Sequence, residues 1–83
     1  MTPTEFLALV AEDFPAYRRI AAREAERTTG AIEADDLFQE TLLALGRRSH
    51  LSFDGENPRG FFRLAVRRTA VNLIKKARRD AAR

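Results

Sequence analysis

The chain has 83 residues, 45% of them hydrophobic and 33% charged, and contains no cysteine. That size supports one domain over residues 1–83 with a core only just large enough to hold it, and the composition is that of a folded globule. Disulfides and thiolate metal sites are excluded, no apolar run approaches a membrane span, and "MTPTEFLALV" lacks the charged head of a signal peptide, so a cytoplasmic protein without a membrane partner is expected. Charge is divided along the chain. From Met1 to Glu56 six arginines face eleven acids, whereas from Asn57 onward nine Arg and Lys face only Asp80. An acidic front and a basic back point to two different partners, one of them a polyanion.

The elements read in order as helices. Thr2 is a capping residue, Pro3 suits a first helical position and Glu5 completes a capping box, with Phe6, Leu9 and Val10 as the apolar stripe. Pro15 interrupts, and a second helix is expected from about Pro15 to Arg27, with Tyr17, Ile20 and Ala21 inward and Arg18, Arg19 and Arg23 outward. "TTG" ends it, Gly30 being suited to a C-terminal cap. A third helix is expected from Glu33 or Ala34 to near Arg48, with Asp35 and Asp36 in its first turn. "SHLSFDGEN" is a loop by composition, and Asn57-Pro58 restarts a helix of about twenty residues. No alternating strand pattern or repeat occurs, so the expected fold is all-α, a compact bundle of three to four helices with a long basic C-terminal one.

On a helical wheel Phe38, Leu42 and Leu45 form the inner face of the third helix, with Leu37 and Thr41 at its edge. Asp36, Glu40, Leu43 and Arg47 lie opposite, and Gln39 flanks them. Ordinary surface acids beside a stray leucine explain that outer face; so does a docking site for a basic helical partner. In the fourth helix Phe62, Val66, Thr69 and Leu73 form the core stripe, widened by Ala65 and Ala70, and Leu64, Val71 and Ile74 are expected to cover a second flank. Arg68, Asn72, Lys75 and Arg79 then make a polar strip, with Arg63 and Arg67 on another edge and Lys76 among the cations. Such a strip neutralises phosphates, and an amide within it hydrogen-bonds a base edge.

"EADDLFQET", Glu33 to Thr41, closely resembles the "DAEDLVQET" pattern in region two of extracytoplasmic-function sigma factors, the small promoter-specificity subunits of bacterial RNA polymerase. "FPAYRRIAAR" is similar to the helix before it, and "SFDGENPRGFFRLAVRRTAVNLIKK" to the loop and helix after it. The similarity covers nearly the whole chain without gaps. Phe61 stands where the family usually has Trp, Gly60 where it has Ala, and Arg68 where Asn is common.

The resemblance implies a transcription initiation domain that binds polymerase core and recognises and melts the minus-ten promoter element. It assigns Asp35, Asp36, Gln39, Glu40 and Leu43 to the clamp helices of the largest polymerase subunit. Arg63, Arg67, Arg68, Asn72, Lys75, Lys76 and Arg79 fall to DNA, and the loop "HLSFDGEN" becomes a pocket for one unstacked base of the non-template strand. There Phe53 offers an aromatic face, and Asp54, Glu56 and Asn57 offer polar groups; Phe53 pinning the loop to the core is the competing reading. An anti-sigma factor and a region-four domain, in the same longer chain or a separate subunit, are further implied partners. No enzyme, cofactor or metal site is expected: there is no Ser/His/Asp set, no Cys nucleophile and no glycine-rich loop, Asp35 and Asp36 diverge on a helix, and His50 has no second ligand. Two other classes fit parts of the chain. A stand-alone DNA-binding module leaves the acidic face idle, and an anti-sigma decoy has no need of the basic strip.

Overall fold

The computed structural model describes residues 1–53 and 56–82. Asp54 of the loop reading lies outside the described residues. Four helices follow one another: α1 (Pro3–Glu12), α2 (Phe14–Glu26), α3 (Ala34–Gly46) and α4 (Pro58–Ala81), so the fold is all-α as expected. The second, third and fourth helices pack against one another, and α1 lies against α2 and α3.

Local chemistry fixes most helix ends. The Thr2 hydroxyl accepts the Glu5 N–H, and Glu5 Oε1 accepts the Thr2 N–H, so the capping box forms as its residues require. Hydrogen bonds to its carboxylate, first from the Thr2 backbone N–H and then from the Thr2 hydroxyl, hold the Glu5 carboxyl below its ordinary pKa. Only Asp13 separates α1 from α2, and α2 starts one residue ahead of Pro15. The helix ends at Glu26, and the chain turns through Thr29 (φ 54°) and Gly30 (φ 85°), two successive left-handed residues. Gly30 adopts that conformation at little cost, whereas Thr29 does so against its β-branch.

All seven aromatic rings of the chain belong to one network. Fully buried Phe6 meets Tyr17, Phe53, Phe61 and Phe62 at centroid distances of 5.1–6.5 Å. Fully buried Phe62 extends the network to Tyr17 (5.2 Å) and Phe38 (6.0 Å), and Phe38 meets Phe14 edge-on at 5.1 Å. Each such pair contributes about 0.5–1.5 kcal/mol beyond the area its rings bury. The loop after α3 joins this core through Leu51 and Phe53, both buried, and the Leu51 N–H donates to the Met1 carbonyl at 3.0 Å.

Ion pairs stitch the helices at the surface. Arg18 on α2 meets Asp35 on α3, and Arg59 on α4 meets Asp13 at the α1–α2 junction. Arg67 Nε donates to Glu24 Oε1 at 3.1 Å, joining α4 to α2. Glu24 is only 8% accessible, by contrast with the exposed acids of the other two pairs, and Arg27 also approaches it at 3.8 Å.

Two faces differ from the wheel reading. The inner face of α3 is centred on Leu37, Phe38, Thr41 and Leu45, while Leu42 is half-buried, because α1 covers α3 from one side only. On α4 the buried residues are Phe62, Val66 and Ala70, with Thr69 and Leu73 half-buried. Of the expected second flank, Leu64 is 59% and Val71 49% exposed, and Ile74 is half-buried. From Lys75 to Ala81 every residue of α4 is exposed, so its last third projects past the bundle.

The packing role of Phe53 leads to a direct expectation. Phe53→Ala removes a buried ring from the network and should destabilise the domain by about 3–5 kcal/mol. Denaturant unfolding followed by far-UV circular dichroism measures this; a loss below about 1 kcal/mol would show that the ring does not pin the loop.

Candidate nucleic-acid interface

The basic side of the molecule is organised by α4. Asn57 precedes it in the left-handed conformation (φ 52°), and its Oδ1 accepts the Gly60 N–H at 3.1 Å. A Cβ at Gly60 would lie 2.4 Å from Asn57 Nδ2, so glycine is what lets the cap close in this rotamer. The Asn57 side chain, expected in a base pocket, is therefore committed through its oxygen to the helix start.

Beyond that cap, α4, the end of α3 and the following loop enclose a cleft of about 340 Å³. Phe61, Leu64, Ala65, Ala44 and Leu45 supply apolar walls; Arg48, Arg68, Ser52 and Asn72 supply polar ones. The Thr41 and Thr69 hydroxyls that also line it donate back to the carbonyls of Leu37 and Ala65. Among the described residues the side chains of Arg48, Arg68 and Asn72 make no hydrogen bond or ion pair, so their donors face solvent. Asn72 continues into a shallower surface with Lys75, Arg78 and Arg79. The polar strip Arg68, Asn72, Lys75 and Arg79 is thus one continuous edge, with exposed Lys76 beside it.

Other expected site residues sit elsewhere. Phe53 is 8% exposed and its ring meets Phe6 and Phe61 inside the network, so the face offered to a base is engaged within the protein. The aromatic ring at the cleft is Phe61, which is half-buried. Glu56 is exposed in the same loop. Arg63 and Arg67 lie on the opposite edge of α4, against α2, where Arg67 is held by Glu24.

The acidic side is built on α3 and divides in two. Asp36, Gln39 and Glu40 border a cleft with the 30–33 turn and Leu73. Gln39 and Leu43 also border an apolar groove against α1, lined by Leu7, Val10, Phe14 and Leu42. Leu43 is 51% and Phe14 44% exposed. Asp36 and Glu40 make no ion pair among the described residues; Asp35, by contrast, is taken by Arg18. Three of the five residues expected at a protein partner (Asp36, Gln39 and Glu40) therefore share one cleft, Leu43 lies just across Gln39, and Asp35 is paired with Arg18 at the surface.

Arg48, Ser52 and Phe61 at the cleft and Leu7 and Phe14 at the groove were not legible as site residues. Their side chains converge only through the loop path and the α1–α3 packing, and no local spacing encodes either.

The bundle thus carries a solvent-facing cationic edge on α4 and, on α3, carboxylates that make no ion pair among the described residues. The chain belongs to the sigma-70 region 2 family, whose model matches residues 9–80, and is a sigma-factor-type transcription initiation module. No curated protein and no solved structure matches it. Among the described residues no helix is long and apolar enough to cross a membrane.

The cap at Asn57 gives an ordered pair of substitutions. Asn57→Ala loses the cap bond and puts a Cβ residue without a polar side chain at positive φ, and should cost about 1–2 kcal/mol. Asn57→Gly keeps the backbone conformation accessible and should cost only a few tenths. Thermal unfolding of the two variants checks the order; equal losses would mean that the left-handed backbone at Asn57 does not matter to α4.

Proposed function

We propose that this domain is the minus-ten recognition and melting module of a bacterial sigma factor of the extracytoplasmic-function type. It acts in the cytoplasm as a subunit of RNA polymerase and performs no catalysis itself. The observation that carries the reading is the cleft between α3 and α4. It joins apolar walls, including the Phe61 ring, to the amide of Asn72 and the guanidinium groups of Arg48 and Arg68, which make no hydrogen bond or ion pair among the described residues. That combination suits an unstacked base: stacking on the walls, an amide for the base edge, and cations for the flanking phosphates. Capture of a flipped base offsets the few kcal/mol of unstacking, so binding and strand opening become one event.

The acidic surface supplies the second partner. Carboxylates at Asp36 and Glu40, unpaired among the described residues, suit arginines presented by the clamp helices of the polymerase, and Leu43 with the neighbouring groove suits an apolar anchor. Two partner surfaces on adjacent helices favour this reading over its rivals. A stand-alone DNA-binding module leaves the acidic side unused, and an anti-sigma decoy leaves the cationic edge unused.

Titration of minus-ten oligonucleotides at several salt concentrations, with and without core polymerase, tests the proposal. Sequence preference should emerge fully only with core polymerase; full preference without it sinks the reading. Glu40→Lys should weaken binding to isolated clamp helices while leaving stability within about 0.5 kcal/mol, the usual surface range. If neither Glu40→Lys nor Asp36→Lys changes that binding, the acidic assignment is wrong. Asn72→Ala should relax preference among minus-ten sequences by about 1–3 kcal/mol with the salt dependence unchanged. Arg68→Ala should instead weaken all sequences alike and shallow the log–log salt slope by about 0.7 for a single-strand phosphate.

A further inference from the structure

On the other edge of α4, away from the cleft that holds Asn72, a second concave surface is lined by Ile20, Arg23, Glu24, Arg27, Arg63 and Arg67. Four arginines line it around one carboxylate: Arg23 from α2, Arg27 from that helix's C-cap, and Arg63 and Arg67 from α4. Glu24 lies on the floor and is claimed by Arg67 at 3.1 Å and Arg27 at 3.8 Å. Arg23 and Arg63 make no ion pair among the described residues. One carboxylate leaves most of this charge uncompensated, and clustered like charges on a rigid surface favour an incoming anion.

We propose that this arginine cleft is a second phosphate-binding site, which grips the backbone strand of double-stranded DNA lying on the α2 side of α4. The proposal rests on the DNA-binding reading above and adds to it residues of α2 and a second strand. Three observations specify the ligand. First, the donors are all arginines, whose planar forks match phosphate oxygens in pairs. Second, the carboxylate at the floor repels an anion from the bottom of the cleft and leaves only the mouth attractive. A phosphodiester carried on a large ligand fits that mouth better than a small ion seeking burial. Third, cations flank both edges of α4: Arg63 and Arg67 on one, Arg68 and Arg79 on the other, with exposed Leu64 and Val71 between them. A helix with its side chains is about 10–12 Å across, close to the width of the major groove at about 12 Å. A single strand follows one edge; a duplex presents a backbone to each.

The test pairs two probes with one double variant. Arg23→Ala combined with Arg27→Ala removes only side chains of α2 and its C-cap, and Arg67 still holds Glu24. Binding of the domain in complex with core polymerase is measured across a salt series, on a duplex promoter fragment and on the single-stranded non-template minus-ten oligonucleotide. On duplex the log–log salt slope should fall by about 0.9 for each phosphate no longer neutralised, so by about one to two units. On the single strand slope and affinity should stay at the parent values. An unchanged duplex slope, or an equal change on both probes, overturns the second-strand assignment while leaving the cleft at Asn72 untouched. Loss of affinity for core polymerase with DNA slopes unchanged would give the arginines to an acidic protein surface and overturns it too. If the parent complex prefers no minus-ten sequence, the reading beneath the proposal fails with it.

Discussion

Phe6 and Phe62 are the contact from which the rest of the domain hangs. Each is fully buried, and through them every aromatic ring of the chain is connected: Tyr17 on α2, Phe38 on α3 with Phe14 beyond it, Phe53 in the loop and Phe61 on α4. A domain this small has little other apolar volume with which to define one arrangement of four helices. Edge-to-face geometry supplies direction that aliphatic packing lacks. Because Phe61 and Phe62 are neighbours on α4, with Phe62 inside and Phe61 half out, the same contact that closes the core sets the wall of the α3–α4 cleft.

Electrostatics then fixes how α4 sits on α2. The Arg67–Glu24 pair is the only one of the three interhelix pairs among the described residues whose acid is buried, and it couples the middle of α4 to the last turns of α2. A buried pair of this kind contributes little net stability, but loss of one partner strands the other charge. Its effect is on orientation: α4 is held so that Arg68, Asn72 and Arg79 face away from α2, toward α3 and solvent. Arg67 therefore belongs to the scaffold as well as to the cationic surface.

The fold was legible because its punctuation is strong. Thr2-Pro3 with Glu5, the Asp13 to Pro15 break, the glycine at position 30 and Asn57-Pro58 each act locally, and the helices begin and end within a few residues of where those signals lie. Face assignments were less secure. Leu64 and Val71 follow helical spacing as well as any core residue, yet they are exposed, because periodicity reports which residues share a face and not whether a neighbour exists to cover it. Phe53 was ambiguous for the same reason: an aromatic in a loop reads equally as a stacking platform or an anchor, and only the position of Phe6 decides. The acids of α3 do gather on one side of the helix, but Asp35 is separated from Asp36 and Glu40 by a partner seventeen residues away on another helix.

The projecting end of α4 has a consequence for how the domain meets a ligand. From Lys75 onward the helix has no core to lean on, and Lys75, Lys76, Arg78 and Arg79 repel one another at helical spacing. Isolated helical turns are marginal in water, so this segment stands low on the scale of local opening free energies. Polyanions and added salt both reduce the repulsion, and both therefore favour its helical form. On the proposed DNA-binding reading, part of the free energy of phosphate contact would go into holding the last two turns wound. On that reading affinity at this end depends on helix propensity as well as on charge, and the exposed alanines at positions 77 and 81 favour the wound form.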